Sequence, residues 1–305
     1  MSKFKLSSMP SQEGKVAVVT GANIGLGYET ALGLAKKGVK VILACRDFEK
    51  AEQAIRKIVK SVPEAVLEII LIDLKNLDSV HGFAEEFLVK YDRLDFLILN
   101  AGIMATPFSK TKDGFESQMA VNYFSHFLLT NLLFPVIKKT KNARIVSLSS
   151  IAHKNGKIDF ENLNSQKSYS KWGAYGQSKL ACLMFAYELQ RRIDHENLPI
   201  KSIAAHPGLS STNLFQYLPK IGQLLFGPIA SLVGQDGKSG AKPTLMAALE
   251  PSLDGGEYIG PTGFMEAKGD PGRVKSSDRS HDISVAQKLW AVSEGLTGKD
   301  FVIKK

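Results

Sequence analysis

The stretch Tyr175-Gly176-Gln177-Ser178-Lys179 sets a phenol and an ammonium four residues apart. On a helix such a pair lies one above the other on one face. The chemistry this allows is proton transfer. An unperturbed phenol titrates at about 10, too high for a base at neutral pH, and a neighbouring ammonium favours the phenolate. With eight tyrosines in the chain, a Tyr-x-x-x-Lys also arises by chance. The pair therefore carries weight only in company.

Its first companion is a glycine turn. In TGANIGLG, Gly21, Gly25 and Gly27 follow an apolar run and open a helical one. Glycines there allow a tight turn and close approach of the backbone to a pyrophosphate, and the helix N-terminus adds amide donors. The spacing departs from Gly-x-Gly-x-x-Gly, with three residues between the first two glycines. At the end of the second strand an acid would hold a ribose hydroxyl, and an arginine a 2′-phosphate. Here Cys45 stands in the acid's place and Arg46 follows it, a planar fork of donors suited to phosphate. NADP(H) is thus favoured over NAD(H), and Asp47 reads as the cap of the next helix. Asp73 is a partner for the adenine or an ordinary turn residue. Asn100-Ala101-Gly102, Ser149-Ser150 and Pro207-Gly208 each end a later strand, the last as a wall beside the nicotinamide. All of these groups sit at carboxyl ends of strands, where open α/β sheets bind ligands. No Gly-x-Ser-x-Gly elbow surrounds the serines, and the six histidines show no metal-ligand pattern, so no metal is expected. His206, before a proline, reads as structural.

The elements that must position these groups alternate strand and helix. Strands are read at Lys15 to Thr20, Val39 to Ala44, Val66 to Ile72, Leu94 to Leu99, Ala143 to Ser149 and Ile200 to Ala205. Helices are read at Gly27 to Gly38, Phe48 to Lys60, Leu77 to Tyr91 with Asn76 or Asp78 as cap, Asp113 to Lys139, and Tyr175 to His195. The alternation means parallel strands with crossover helices, and the continuous apolar strands mean that both sheet faces are covered. The expected fold is α/β: a three-layer, Rossmann-type doubly wound parallel sheet, one domain over residues 1–305. Residues 209–238 are apolar yet broken by Gly and Pro. They read as a substrate lid, and the apolar stretch Asn213 to Val233 within them also suits a dimer surface or a segment lying on a membrane. Residues 263–305 form a C-terminal extension whose part from Gly263 to Arg279 reads as loop.

Composition narrows the class. The chain has 305 residues, is 44% hydrophobic and 23% charged, and so is an ordinary globular protein. No apolar run in the sequence is read as a membrane span, and the first residues lack a signal core, so a cytoplasmic location is expected. Two cysteines in no redox or metal spacing fit a reducing compartment. The net charge of +9 comes from basic residues scattered in pairs such as Lys36-Lys37. They read as solvated helix faces, not a nucleic-acid surface, and some positive charge suits an anionic cofactor.

Taken together, Gly21/Gly25/Gly27, Asp73, Asn100-Ala101-Gly102, Asn122, Ser150, Tyr175, Lys179 and Pro207-Gly208 resemble the short-chain dehydrogenase/reductase family, in its order and over most of the chain. The resemblance implies a catalytic tetrad of Asn122, Ser150, Tyr175 and Lys179. Ser150 is chosen because the family's serine is the second of such a pair. The implied cofactor contacts are Gly21, Asn23, Ile24, Gly25, Leu26, Gly27, Arg46, Asp73, Leu74, Asn100, Ala101, Gly102, Tyr175, Lys179, Pro207, Gly208 and Thr212. Tyr175 would donate the proton, Lys179 would tune it and hold the ribose, Ser150 would steady the carbonyl oxygen, and Asn122 would seat a relay water. The segment between Ser150 and Tyr175 is longer than in compact members. It is similar to the insert of the retinol dehydrogenase-like branch, as are TGANIGLG and SKLACLMFAYEL. That branch implies a lipophilic alcohol or carbonyl substrate, usually with NADP(H). Many of its members carry a membrane anchor; none is read here, which favours a soluble relative, with peripheral membrane contact through the 213–233 stretch as an open alternative. Family habit implies a homodimer or homotetramer built on the two long helices. The competing reading is a catalytically silent nucleotide-binding sensor or interaction protein, which predicts loss of the tyrosine or lysine; both are present.

Overall fold

The computed structural model describes residues 4–209 and 236–304. Eight strands form one sheet in the order β3-β2-β1-β4-β5-β6-β7-β8: β1 Val16–Thr20, β2 Lys40–Cys45, β3 Leu67–Leu71, β4 Phe96–Leu99, β5 Arg144–Leu148, β6 Lys201–Ala205, β7 Tyr258–Pro261 and β8 Pro271–Arg273. The first seven pair in parallel, and β8 runs antiparallel to β7. The six strands read from sequence are present within a residue or two. The last two were not: β7 is four residues and β8 three, too short to carry a pattern. The region from Gly263 to Arg279, expected as loop, therefore contributes an edge strand. The order in which strands are added reverses between β1 and β4, which pair in parallel as Val18↔Leu97 and Val19↔Ile98. That switch point opens the crevice for a ligand.

Alternate strand residues point to opposite faces. Val16, Val18, Ile42, Leu97 and Ile145 enter one core, and Ala17, Val19, Leu43, Ile98 and Val146 the other. The second core is covered by α1 Gly25–Ala35, α2 Phe48–Ser61 and a later helix. The first is covered by α3 Leu77–Lys90, α4 Ser117–Lys139, α5 Lys171–His195 and a C-terminal helix. Numbered in chain order, the later helix is α6 Lys242–Leu249 and the C-terminal one α7 Ile283–Thr297.

Two helix starts differ from the expected ones. Residues before Ser117 turn through Gly114, whose φ is +84°, and Glu116 caps the helix by accepting the Gln118 and Met119 amides. Asp113 instead accepts the Leu77 amide at the start of α3, beside the cap Asn76. The fifth helix begins a turn early, at Lys171, because Ser170 accepts the Gly173 amide. Tyr175 is thus already inside a formed helix. Within α4, Ala120–Phe124 is a π-helical turn, a deviation that clusters at functional sites. By length and composition α4 could also cross a bilayer, but its apolar window is 89% buried in the fold, so it reads as a core helix.

One face of α4 and of α5, the two helices expected to form subunit contacts, is covered by the chain's own C-terminus. Trp290 meets Phe127 edge-on at 5.1 Å and stacks on Phe301 at 4.8 Å, while Arg192 lies 4.2 Å over its ring. Tyr123 and Ser293 hydroxyls pair at 2.8 Å. Trp290 is 2% exposed, so Trp290→Ala should cost about 3–5 kcal/mol, read from urea unfolding. A loss under about 0.5 kcal/mol, the size of an ordinary surface change, would mean that α7 is not part of the core.

Candidate active site

The site begins at Thr20, the last residue of β1. Its buried hydroxyl accepts the Asn100 and Ala101 amides, each at 2.9 Å. The Asn100 side chain returns a bond to the Thr20 carbonyl at 2.8 Å. The two central strand ends are thereby locked together. The glycine turn is packed against this lock. A Cβ on Gly27 would lie 2.2 Å from the Gly21 carbonyl oxygen, and one on Gly21, whose φ is +66°, would press on Ala101. These positions need glycine for contact as well as for backbone freedom. Helix α1 has no side-chain cap and no acid in its first turn, so its leading amides are left for an anion.

Outside these strand ends lies a cavity of about 350 Å³, in the range of small-molecule sites. Every expected cofactor residue in the described chain lines it except Gly208; the set runs from Gly21, Asn23, Ile24, Gly25, Leu26 and Gly27 through Arg46, Asp73 and Leu74 to Asn100, Ala101, Gly102 and Pro207. Thr212 and the stretch Asn213 to Val233 lie outside the described residues. At the β2 end, Arg46 and Lys50 line the wall, and Asp47 is occupied as the cap of α2, accepting the Lys50 amide at 3.0 Å. Cys45, in the place of an acid, is buried beneath the turn with the Ala22 and Asn23 amides aimed at its sulfur, and burial pushes its thiol up to about 12. It is neutral and supports the turn. Asp73 lines the cavity, and its carboxylate accepts the Lys75 amide at 3.0 Å as a turn residue does. Lys75 also lines this end, a cation not singled out from the sequence.

At the other end stand Tyr175 and Lys179, both 5% exposed and both on the cavity wall. The Lys179 ammonium donates to the Leu148 carbonyl at 3.0 Å and lies 5.9 Å from the Tyr175 ring centre. Gly102 leaves room for it, since a Cβ there would sit 3.3 Å from that ammonium. The residues between the pair are all used. Gly176 lets the Gly156 backbone pack against the helix, Gln177 accepts the Asp159 amide and donates to Leu163, and Ser178 accepts from Asn122. The insert between Ser150 and Tyr175 is therefore fastened to the helix that carries the tyrosine. Tyr169, near the end of the insert, accepts from Gln118 and donates to the Thr106 carbonyl, an anchoring role. Half-exposed Trp172 meets the Tyr175 ring edge-on at 6.4 Å.

Asn122 and Ser150 do not line the cavity. Asn122, on the π turn, accepts the Ile103 amide at 2.8 Å and donates to the Ile103 carbonyl and to Ser178. Its side chain clamps the Asn-Ala-Gly turn to α5. Ser150 opens the short helix Ile151–Asn155 by accepting the Ala152 amide at 3.2 Å, and it is its neighbour Ser149 that lines the cavity, donating to the Lys179 carbonyl.

His126 is a member of the site that the sequence reading missed. Its Nδ1 lies 3.0 Å from the Asn122 carbonyl and its Nε2 2.9 Å from the Thr20 hydroxyl. A carbonyl only accepts, so the proton is on Nδ1 and the hydroxyl donates to Nε2. Burial, with Lys179 nearby, holds His126 down at about 4, so the imidazole is neutral. Its position one helical turn after Asn122 was the available signal.

Comparison with known proteins agrees with this geometry. The family model described as short chain dehydrogenase matches residues 15–220. Retinol dehydrogenase 12 of Mus musculus is 41% identical over 289 residues, covering 93% of this chain and 87% of that protein. Retinol dehydrogenase 14 of Homo sapiens is 39% identical over 302 residues, with the same coverage of 93% and 87%. Among solved structures, an uncharacterized protein from Mycobacterium paratuberculosis superposes with a TM-score of 0.83 at 40% identity, covering 99% of this chain and 100% of that one. The chain belongs to the short-chain dehydrogenase/reductase family, in its retinol dehydrogenase-like branch, and is a nicotinamide-dependent oxidoreductase of the alcohol/carbonyl type.

Proposed function

We propose that this enzyme uses NADP(H) to interconvert the alcohol and carbonyl forms of a lipophilic, retinoid-like small molecule. The observation that carries the reaction type is the meeting of Tyr175 and Lys179 with the glycine turn in one cavity. The cofactor fits the residues present: uncapped α1 amides, glycines with no space for a Cβ, and a cationic far end. When bound, the nicotinamide supplies or takes up the hydride. Tyr175 donates a proton to the carbonyl oxygen, or accepts one in the oxidative direction. The Lys179 charge beside it stabilises the phenolate that results, and its ammonium would hold the nicotinamide ribose. Ser150, two residues past β5 and next to the cavity-lining Ser149, would by the family resemblance give its hydroxyl to the substrate oxygen as charge develops there. The side-chain atoms of Asn122 hold Ile103 and Ser178 and its carbonyl receives His126 and Cys182, so its part is to fix the turn beside Lys179.

Preference for the 2′-phosphate is supported by Arg46, Lys50 and Lys75 on the wall and by the neutral Cys45 where an acid would stand. The lipophilic class is supported by Ile103, Met104, Val121 and Leu148 around the cavity and by the likeness to retinol dehydrogenases. A homodimer or homotetramer built on α4 and α5 would use the parts of those helices that α7 leaves uncovered.

The test of the whole reading is oxidation of NADPH, repeated with NADH, against aldehydes, ketones, quinones and retinal. Turnover with lipophilic carbonyls and a preference for NADPH are expected; binding of either nucleotide with no turnover would favour a silent sensor. Tyr175→Phe should lower kcat by about 10²–10⁴-fold while NADPH fluorescence still reports binding. Unchanged turnover in that variant removes Tyr175 as the proton donor. Arg46→Ala should raise the Kd for NADPH by about 10- to 100-fold, the loss of a charge-assisted bond, and leave NADH little changed. An equal effect on both cofactors would refute its pairing with the 2′-phosphate.

A further inference from the structure

Behind the nicotinamide end of the cavity lies a buried polar cluster that the mechanism does not use. His206 follows β6 directly and is fully buried. Its Nδ1 accepts the Gly208 amide at 3.2 Å, which leaves the proton on Nε2. That Nε2 lies 3.2 Å from one oxygen of the Glu266 carboxylate, and the other oxygen accepts from Lys154 at 3.0 Å. Burial lowers His206 more than the carboxylate raises it. At neutral pH the imidazole is therefore uncharged and lies in close polar contact with the Glu266 carboxylate, and this contact, with the Lys154 charge, keeps Glu266 down at about 2.

The arrangement is fixed from several sides. A Cβ on Gly260 would lie 1.9 Å from the His206 Nε2, so β7 must carry glycine there for the ring to fit. Gly208 has φ +69°, and a Cβ on it would meet the Ala267 carbonyl at 2.4 Å. The Leu209 amide donates to that same Ala267 carbonyl at 2.8 Å. Met265 and Glu266 both have positive φ, 50° and 56°, the left-handed region that side chains seldom occupy. Such strain persists only where surrounding contacts hold it. Here it turns Glu266 inward while Phe264 and Met265 stay exposed. The chain Lys154–Glu266–His206 thus joins the short helix after Ser150, the loop between β7 and β8, and the Pro207-Gly208 turn, whose proline lines the cavity.

We propose that Glu266 is a positioning residue: through His206 it sets the Pro207-Gly208 wall, and through Lys154 it holds that wall in register with the Ser150 turn. Glu266 touches neither cavity nor substrate, and its effect is on where the nicotinamide rests. The inference rests on the NADP(H) reading above, and its test keeps the two apart. Binding of NADPH and of 2′-phospho-ADP-ribose, which lacks the nicotinamide, is measured by calorimetry on the full chain and on Glu266→Ala and Glu266→Gln. Glu266→Ala should weaken NADPH about tenfold and leave the fragment within about twofold. Glu266→Gln keeps the shape and a polar oxygen beside His206 and should recover NADPH binding to within about threefold. With any carbonyl the wild type reduces, Glu266→Ala should also lower kcat and raise the isotope effect from 4-deuterated NADPH, as expected when hydride geometry is disturbed. Equal weakening of NADPH and the fragment, or weakening of neither, overturns the proposal. A wild type that binds NADPH but reduces nothing defeats the catalytic reading alone, because the comparison of the two ligands still decides the role of Glu266.

Discussion

The Asn122 side chain is the tie on which the catalytic end depends. It fills both polar groups of Ile103, just past the Asn-Ala-Gly turn, and reaches Ser178 one residue before Lys179. Removing it would leave a largely buried amide and carbonyl unpaired, each at a cost of about 1–3 kcal/mol. It would also free the turn that faces the Lys179 ammonium. The π turn in α4 is what presents the Asn122 side chain on one side and its carbonyl, to His126 and Cys182, on the other. From there neutral His126 passes the constraint to Thr20, and Thr20 to the glycine turn. Cofactor cradle and proton-transfer pair are thus held by one continuous set of hydrogen bonds through the core.

The same logic explains why so much polarity is buried without ion pairing. His126, His153 and His206 are all buried and all held below the usual imidazole range by desolvation. A neutral imidazole offers one donor and one acceptor at a fixed spacing, and His126 and His153 use both. His153 binds the Ser150 carbonyl at 2.7 Å and receives the Ser277 amide at 3.1 Å. The C-terminal extension is thereby drawn against the turn that carries Ser150. The extension also supplies Trp290 and Phe301 to the α4 and α5 faces, so it is part of the domain and not an appendage.

The parallel sheet was legible because its strands are continuous apolar runs punctuated by Gly, Asn and Asp. The cofactor turn was legible because steric need leaves glycine as the only choice at Gly21 and Gly27. Tyr175 and Lys179 were readable by spacing and by the groups around them. What the sequence hid was of another kind. The strands Tyr258–Pro261 and Pro271–Arg273 exist only through their neighbours, and no periodicity marks them. Asn122 as a clamp, His126 as a link and Cys45 as a support for the turn are roles set by burial and tertiary contact, which residue type and spacing do not encode. The helix around Tyr175 was begun too late because Ser170, a good cap, is followed by Trp172-Gly173, which breaks the apolar pattern.

The central claim is that Tyr175 and Lys179 serve a hydride transfer between nicotinamide and a lipophilic carbonyl. Its most direct test uses NADPH deuterated at C4, one face at a time, with a lipophilic aldehyde such as retinal, and mass spectrometry of the product. The account predicts one deuterium on the former carbonyl carbon, delivered from one face only, with product formed about 10²–10⁴-fold more slowly in the Tyr175→Phe variant. Product with no label, or no product from any lipophilic carbonyl despite tight NADPH binding, would contradict it.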